Sequence, residues 1–215
     1  TVWGHGSYVA PDWSADWLHR EATSLAEIYA QADYAAAYAS LAAPGKAAVD
    51  ARVRQEMRHN AYDPASGTLT VTKQRAQAIR EVAAHYAGLF ATEPSLEKLR
   101  DQYAMTDDLV PAASDRAALT GFFFWSSWAA ATDRPGESGL SYTSNWPHED
   151  LVGNNLTTGS AVWTLVSIIL LIGGIAGMLW YHSAHDEGAD PQPPSHDPLF
   201  GATPTPSMLA TRKYF

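Results

Sequence analysis

The chain has 215 residues, enough for one folded core or one domain with appendages, and 46% apolar with 11% aromatic residues set it apart from disordered chains. A formal net charge of −9, with only 14 scattered Lys and Arg, excludes a nucleic-acid surface, which needs clustered basic residues. With no cysteine in the sequence, disulfides, thiolate zinc sites, iron–sulfur clusters and thioether-linked haem are excluded as well.

The first feature along the chain is WGHGSYVAPDW, Trp3 to Trp13, with two glycines flanking His5. Glycine dihedrals can turn carbonyls outward, so the Gly6 carbonyl and the Tyr8 phenol can converge on one point. Hard cations take such oxygen donors when a carboxylate joins from elsewhere. A plain structural turn before a helix is the other reading of the same residues. Ser14 is then expected to cap a helix running to about Gln31, with Trp17, Leu25 and Ile28 on its apolar side and Glu21 in its early turns. The Ala-rich segment after Asp33 continues or restarts that helix.

Pro44 suits the first turn of a second helix, in which Val49, Val53 and Met57 form one stripe before an end near Asn60. The Pro-Ala-Ser-Gly turn at 64–67 and the alternating run after it predict a two-stranded corner. Thr72 caps a third helix whose Ile79, Val82, Ala83 and Tyr86 share a face, and Pro94 opens a short one through Leu96 and Leu99. Ser114 is expected to cap the next, where Phe122, Phe123, Phe124 and Trp125 are consecutive. At 100° per residue these rings point all round the axis, which leaves two readings open: a contact with a second protein or with lipid headgroups, or a thick internal core. Residues 132–159 read as a long loop, functional or pinned to a partner.

Ala161 to Tyr181 is 21 residues without a charge, flanked by Trp163 and by Trp180 with Tyr181. At 1.5 Å per residue it covers roughly 30 Å, one hydrocarbon thickness, with aromatic residues at both interfaces. It therefore predicts a membrane-spanning helix. The segment after it carries six prolines before Met208 and no apolar period, an extended linker. The chain starts at Thr1 and stops after Arg212, Lys213, Tyr214 and Phe215, residues that suit the edge of a further membrane helix; one stretch of a larger membrane protein is expected. Histidines give little chemistry: His19, His59 and His85 lack a second ligand one turn away, His182 and His185 lack further ligands, and His148 beside Glu149 is at most a proton-handling pair. Gly173, Gly174 and Gly177 lie within the apolar span, where small residues favour close helix packing over nucleotide binding.

Three long strings, WGHGSYVAPDWSADWLHRE, FFFWSSWAAATDRPG and YTSNWPHE, together resemble the N-terminal region of the bacterial quinol-dependent nitric oxide reductases, and TPSMLATRKYF resembles the join to their catalytic part. The resemblance implies a mainly α fold: a cytochrome-c-like soluble domain without haem, one transmembrane helix and a Pro-rich linker. It implies a periplasmic domain over 1–150, a juxtamembrane loop over 151–160, the membrane helix over 161–181 and a cytoplasmic linker over 182–215 leading to a further membrane helix. The expected role is a non-catalytic cap and anchor in the bacterial inner membrane, with a haem-copper-oxidase-like catalytic body as partner, quinol as electron donor of the whole enzyme, and no nucleic acid. Haem b, haem b3 and non-haem iron, with their ligands, would belong to that body.

The related cytochrome-c-dependent reductases have a small subunit with a Gly-x-Gly-x-Tyr-x-Ala-Pro turn, matched by Gly4 to Pro11. The resemblance implies that Gly6 and Tyr8 help bind a calcium bridging haem propionates, that Trp125-Ser126-Ser127 and Asn145-Trp146-Pro147 match further small-subunit segments, and that Met105 is a relic of an axial methionine. A membrane-anchored docking subunit with no redox role is the alternative.

Overall fold

A computed structural model describes residues 12–185. Contacts divide the chain into a compact unit ending at Ala161 and a second unit starting at Val162. Gly6 and Tyr8, and the Pro-rich segment after the apolar span, lie outside the described residues.

The first unit is mainly helical. Its longest helix, α1 (Trp13–Tyr34), is capped by Asp12, whose carboxylate accepts from the Ser14 and Ala15 amides, both at 3.1 Å. The expected Ser14 cap is thus shifted by two residues. Either residue type can cap, and the earlier start brings Trp13 into the helix one turn before Trp17, where it packs edge-on against Tyr86, Phe90 and Tyr103. Leu18, Ala22, Leu25, Ala26, Tyr29 and Ala30 make the buried stripe. The helix ends where Ala35 adopts a left-handed conformation, φ 50°, and only a single 3-10 turn, Tyr38–Ser40, follows in the Ala-rich segment.

Helix α2 (Ala43–Arg58) holds Pro44 in its first turn and buries Val49, Val53 and Met57, the expected stripe. The corner is there: β1 (Tyr62–Asp63) pairs antiparallel with β2 (Thr68–Leu69), and Gly67 closes the turn at φ 66°. Thr72 caps α3 (Lys73–Leu89) by accepting from the Arg75 amide at 3.1 Å. After a 3-10 turn at Pro94–Leu96 comes the short α4 (Glu97–Gln102). Helix α5 (Ala113–Ala131) starts after Ala112 with no side-chain cap, so Ser114 does not perform the expected role; its hydroxyl donates to Asp115 instead.

Helices α1, α3 and α5 pack on one another, with α2 against α1. This assembly encloses two buried clusters. An aliphatic one joins α1 and α2 to Ala78, Ala130, Ala131 and Val152. An aromatic one is built on Trp17, Val82, Tyr86, Leu89, Phe90 and Phe123.

The apolar helix extends beyond residues 161–181 at both ends. Helix α6 runs Thr158–His185, and its apolar span, Thr158–Ala184, covers about 40 Å at 1.5 Å per residue, enough to cross a bilayer with tilt. Thr157 caps its start, accepting from the Ser160 amide at 3.1 Å. That first turn, Thr158 to Ser160, is uncharged but polar and so weakens an apolar pattern, and no proline or glycine interrupts the helix between Tyr181 and His185, so His182 lies on the helix rather than in a linker. A Cβ at Gly173, Gly174 or Gly177 would meet nothing within 4 Å.

Candidate functional site

Three features of the first unit bear on function: its aromatic interior, the seam between α1 and α3, and the clasped loop that leads towards α6.

In the interior, the Trp17 and Tyr86 rings stack at 5.4 Å with planes 5° apart, and Tyr86 meets Phe123 at 5.2 Å. Phe90 lies 6.1 Å from Phe123, and Met105 packs partly buried against the same cluster. Beside this stack sits a buried ion pair. The Arg75 Nε donates to Glu21 Oε1 at 2.9 Å with side-chain exposures of 2% and 0%, and the other carboxylate oxygen accepts from Trp17 Nε1 at 2.8 Å. Arg75 Nη1 also donates to the Glu56 carbonyl at 3.1 Å, while Nη2 is buried without a partner. A covalently held haem does not fit here: there is no cysteine for its thioether bonds, and close-packed rings occupy the space beside Met105.

Between α1 and α3 lies a groove of about 430 Å³, lined by Asp16, His19, Arg20, Ser24, Glu81 and His85 among others. Its carboxylates are already engaged. Asp16 accepts from Arg20 Nε at 2.7 Å and from the Tyr86 hydroxyl at 2.5 Å, and Glu81 accepts from Ser24 at 2.6 Å and Gln77 at 3.0 Å. Burial, reinforced by the Asp16 bond, pushes the Tyr86 phenol well above its ordinary range. Among the described residues no three His, Asp or Glu groups converge on a metal position. The groove is a helix seam laced by these hydrogen bonds.

His85 borders it with a buried Nε2 that has no hydrogen-bond partner. Burial, with the Arg20 charge added, pulls its imidazole below the ordinary histidine value, against a smaller opposing pull from Asp16. The unfolded chain therefore binds this proton more readily than the folded one, and stability falls as pH drops through the window between the ordinary value and the lowered one. Denaturant unfolding over a pH series checks this: wild type should lose stability on entering that window from above, and His85→Leu should flatten the loss.

The loop after α5 is held by Arg58. Its Nε donates to the Val152 carbonyl at 2.8 Å, and Nη1 reaches Asp133 Oδ1 at 2.5 Å. Nη2 donates to the Gly153 carbonyl at 2.9 Å, to Asn154 Oδ1 at 3.0 Å and to Asn145 Oδ1 at 3.3 Å. Asn154, fully buried, donates to the Ala130 carbonyl at 2.8 Å and so ties the loop to the end of α5. Gly153 is needed at this crossing: its φ is 72°, and a Cβ there would stand 2.8 Å from Arg54 Nε. Ser144 and Asn145 also take left-handed conformations, φ 58° and 64°, with Asn145 buried and Trp146 projecting at 63% exposure.

The expected His148–Glu149 pair is not made. Glu149 accepts from His19 Nδ1 at 2.8 Å, linking the loop to α1, whereas His148 Nδ1 donates to the Asn154 carbonyl at 2.8 Å. The aromatic run on α5 divides between both readings of the sequence. Phe123 is buried and Phe124 packs partly against the interior cluster, while Phe122 and Trp125 are 65% and 43% exposed. Next to Phe122 and Trp125 come Ser127, buried with an unpartnered hydroxyl, and Trp128, whose Nε1 is likewise buried without an acceptor. Arg58, Asn154 and the Glu21–Arg75 pair escape sequence reasoning: each sits on a helix or loop that reads as solvated, and the contacts Asn154–Ala130, Arg75–Glu21 and Arg58–Asn154 join residues 24, 54 and 96 positions apart.

These features define a helical domain with a closed aromatic core, followed along the chain by a helix able to span a membrane. The family model for the cytochrome c-like domain of NorB, a nitric oxide reductase component, matches residues 1–148, and the chain belongs to that family. No curated protein matches the chain.

Proposed function

We propose that this chain is the haem-less, non-catalytic cap and membrane anchor of a quinol-dependent nitric oxide reductase, with the soluble domain on the periplasmic side of a bacterial inner membrane. The observation that carries the reading is the aromatic interior: this cytochrome-c-like domain has no cysteine, and among the described residues its core is stacked aromatic rings beside a buried ion pair, which favours a domain without a redox centre. Electrons from quinol then bypass this domain. The reaction, 2 NO + 2 e⁻ + 2 H⁺ → N2O + H2O, belongs to a haem-copper-oxidase-like catalytic body holding haem b, haem b3 and non-haem iron.

The Gly6 carbonyl and Tyr8 phenol are hard oxygen donors of the kind calcium takes, and two such neutral donors need carboxylates from elsewhere to complete a site. Haem propionates of the catalytic body are carboxylates, so Gly6 and Tyr8 would supply two of the oxygen ligands of a shared calcium. In the whole enzyme, Tyr8→Phe is expected to lower the calcium content and perturb the haem absorption spectrum. Unchanged metal content and spectrum would count against this role.

The exposed Phe122 and Trp125 favour one second reading, a docking subunit with no redox role. Purification from native membranes separates the two: co-purifying b-type haem and nitric oxide reduction support the reductase, and their absence supports the docking subunit.

A further inference from the structure

We infer that the exposed aromatic face formed by α5 and the clasped loop is a membrane-surface site, which lays its rings in the headgroup layer of an uncharged or zwitterionic lipid interface. The inference rests on α6 spanning the bilayer and is independent of the calcium reading.

The face is continuous. Tyr62, Trp125 and Trp128 contact one another pairwise at 5.5–6.1 Å, and Tyr142 joins through Trp128 at 5.6 Å. Phe122 extends the face by one helical turn. At these separations the rings are in direct contact and leave no cage for a small ligand. The outer faces of Tyr62, Phe122, Trp125 and Tyr142 are exposed, so the cluster offers a surface rather than a pocket.

Covalent geometry says what covers it. Trp128 is two residues before Ala130, whose carbonyl is bonded to the buried Asn154. Asn154 in turn precedes Thr158, where the apolar helix starts, by only four positions, so the residue that holds the end of α5 lies within roughly 14 Å of chain of the beginning of α6. A surface so tethered meets the bilayer at high effective concentration. Its composition suits that place, because Trp and Tyr have apolar rings with a polar edge and concentrate at membrane–water interfaces.

Charge narrows the lipid. From Phe122 to Tyr181 the only Lys or Arg is Arg134, and its guanidinium is occupied by the Ser141 and Tyr142 carbonyls and the Ser144 hydroxyl. Nothing on the face attracts an anionic headgroup, so the contact depends on ring insertion and not on salt.

The absence of native cysteine allows a single spin label. The full chain carrying Phe122→Cys is reconstituted into phosphatidylcholine vesicles, with Leu109→Cys, exposed but outside the cluster, as reference. The label at 122 should show a several-fold higher ratio of oxygen to water-soluble nickel-chelate accessibility than the label at 109. Adding phosphatidylglycerol should not raise it. Trp125→Gln in the 122-labelled chain should return the ratio towards the reference value while far-UV helicity stays; if that variant fails to fold, the depth comparison stands by itself. Equal ratios at 122 and 109 would overturn the inference. So would a label at 122 shielded from both reagents, which marks contact between chains, or one shielded only in membranes holding the complete reductase, which marks a protein partner.

Discussion

Arg58→Ala is expected to release the loop at 133–155 and to destabilise the soluble unit by about 3–5 kcal/mol, the usual cost of deleting one member of a largely buried, hydrogen-bonded charge pair. The guanidinium is only 10% exposed and serves five acceptors. Its loss leaves the Asp133 carboxylate without its cation and the Asn145 and Asn154 side-chain oxygens and two carbonyls each short of a donor. A unit of this size loses about 2–4 °C of melting temperature per kcal/mol, so a drop on the order of 10 °C should be seen. Limited proteolysis should cut first within the loop. Arg58→Lys should recover little, because an ammonium lacks the planar fork that serves both sides of the loop. A melting temperature within a degree or two of wild type would mean that the clasp contributes little.

The second large effect is expected at the buried pair between α1 and α3. Arg75→Ala leaves the Glu21 carboxylate, fully buried, with one donor, Trp17 Nε1, and should cost about 3–5 kcal/mol. Replacing both members, as Glu21→Leu with Arg75→Met, removes the charges together and should restore most of that loss, because well-packed apolar groups avoid the desolvation penalty. Denaturant unfolding of the wild type, both single variants and the double variant closes the cycle. A double variant as unstable as the sum of the singles would show that the pair is held by something other than mutual compensation. The same pair helps to explain the core: the indole of Trp17 is oriented by Glu21 and thereby set parallel to Tyr86.

Much of this architecture is legible in the residues. The stripe Val49, Val53, Met57 and the cap at Thr72 are local, periodic signals, and both appear where the sequence puts them. The consecutive rings at 122–125 announce that something must cover them, and the structure divides them into two facing inward and two outward. Helix starts are less legible where two capping residues compete: Asp12 and Ser14 are equally good chemically, and the choice depends on where Trp13 must pack. Long-range polar partners are not legible at all. Arg58 and Arg75 sit in helices whose other polar residues face water, and nothing near them in sequence reveals the loop at 152–154 or Glu21. His148 and Glu149 show the same limit, since adjacent residues take different partners, the Asn154 carbonyl and His19. The reading of Gly6 and Tyr8 rests on sequence and resemblance, as both lie outside the described residues.

A cytochrome-c-like domain that carries no redox centre is tested most directly by the optical spectrum of the purified chain, oxidised and reduced, after expression in a host that makes haem and matures c-type cytochromes. The chain should show only aromatic absorption, with no Soret band and no change on reduction. A Soret band that co-purifies in stoichiometric amount and shifts with dithionite would contradict that reading and place an electron carrier in this domain.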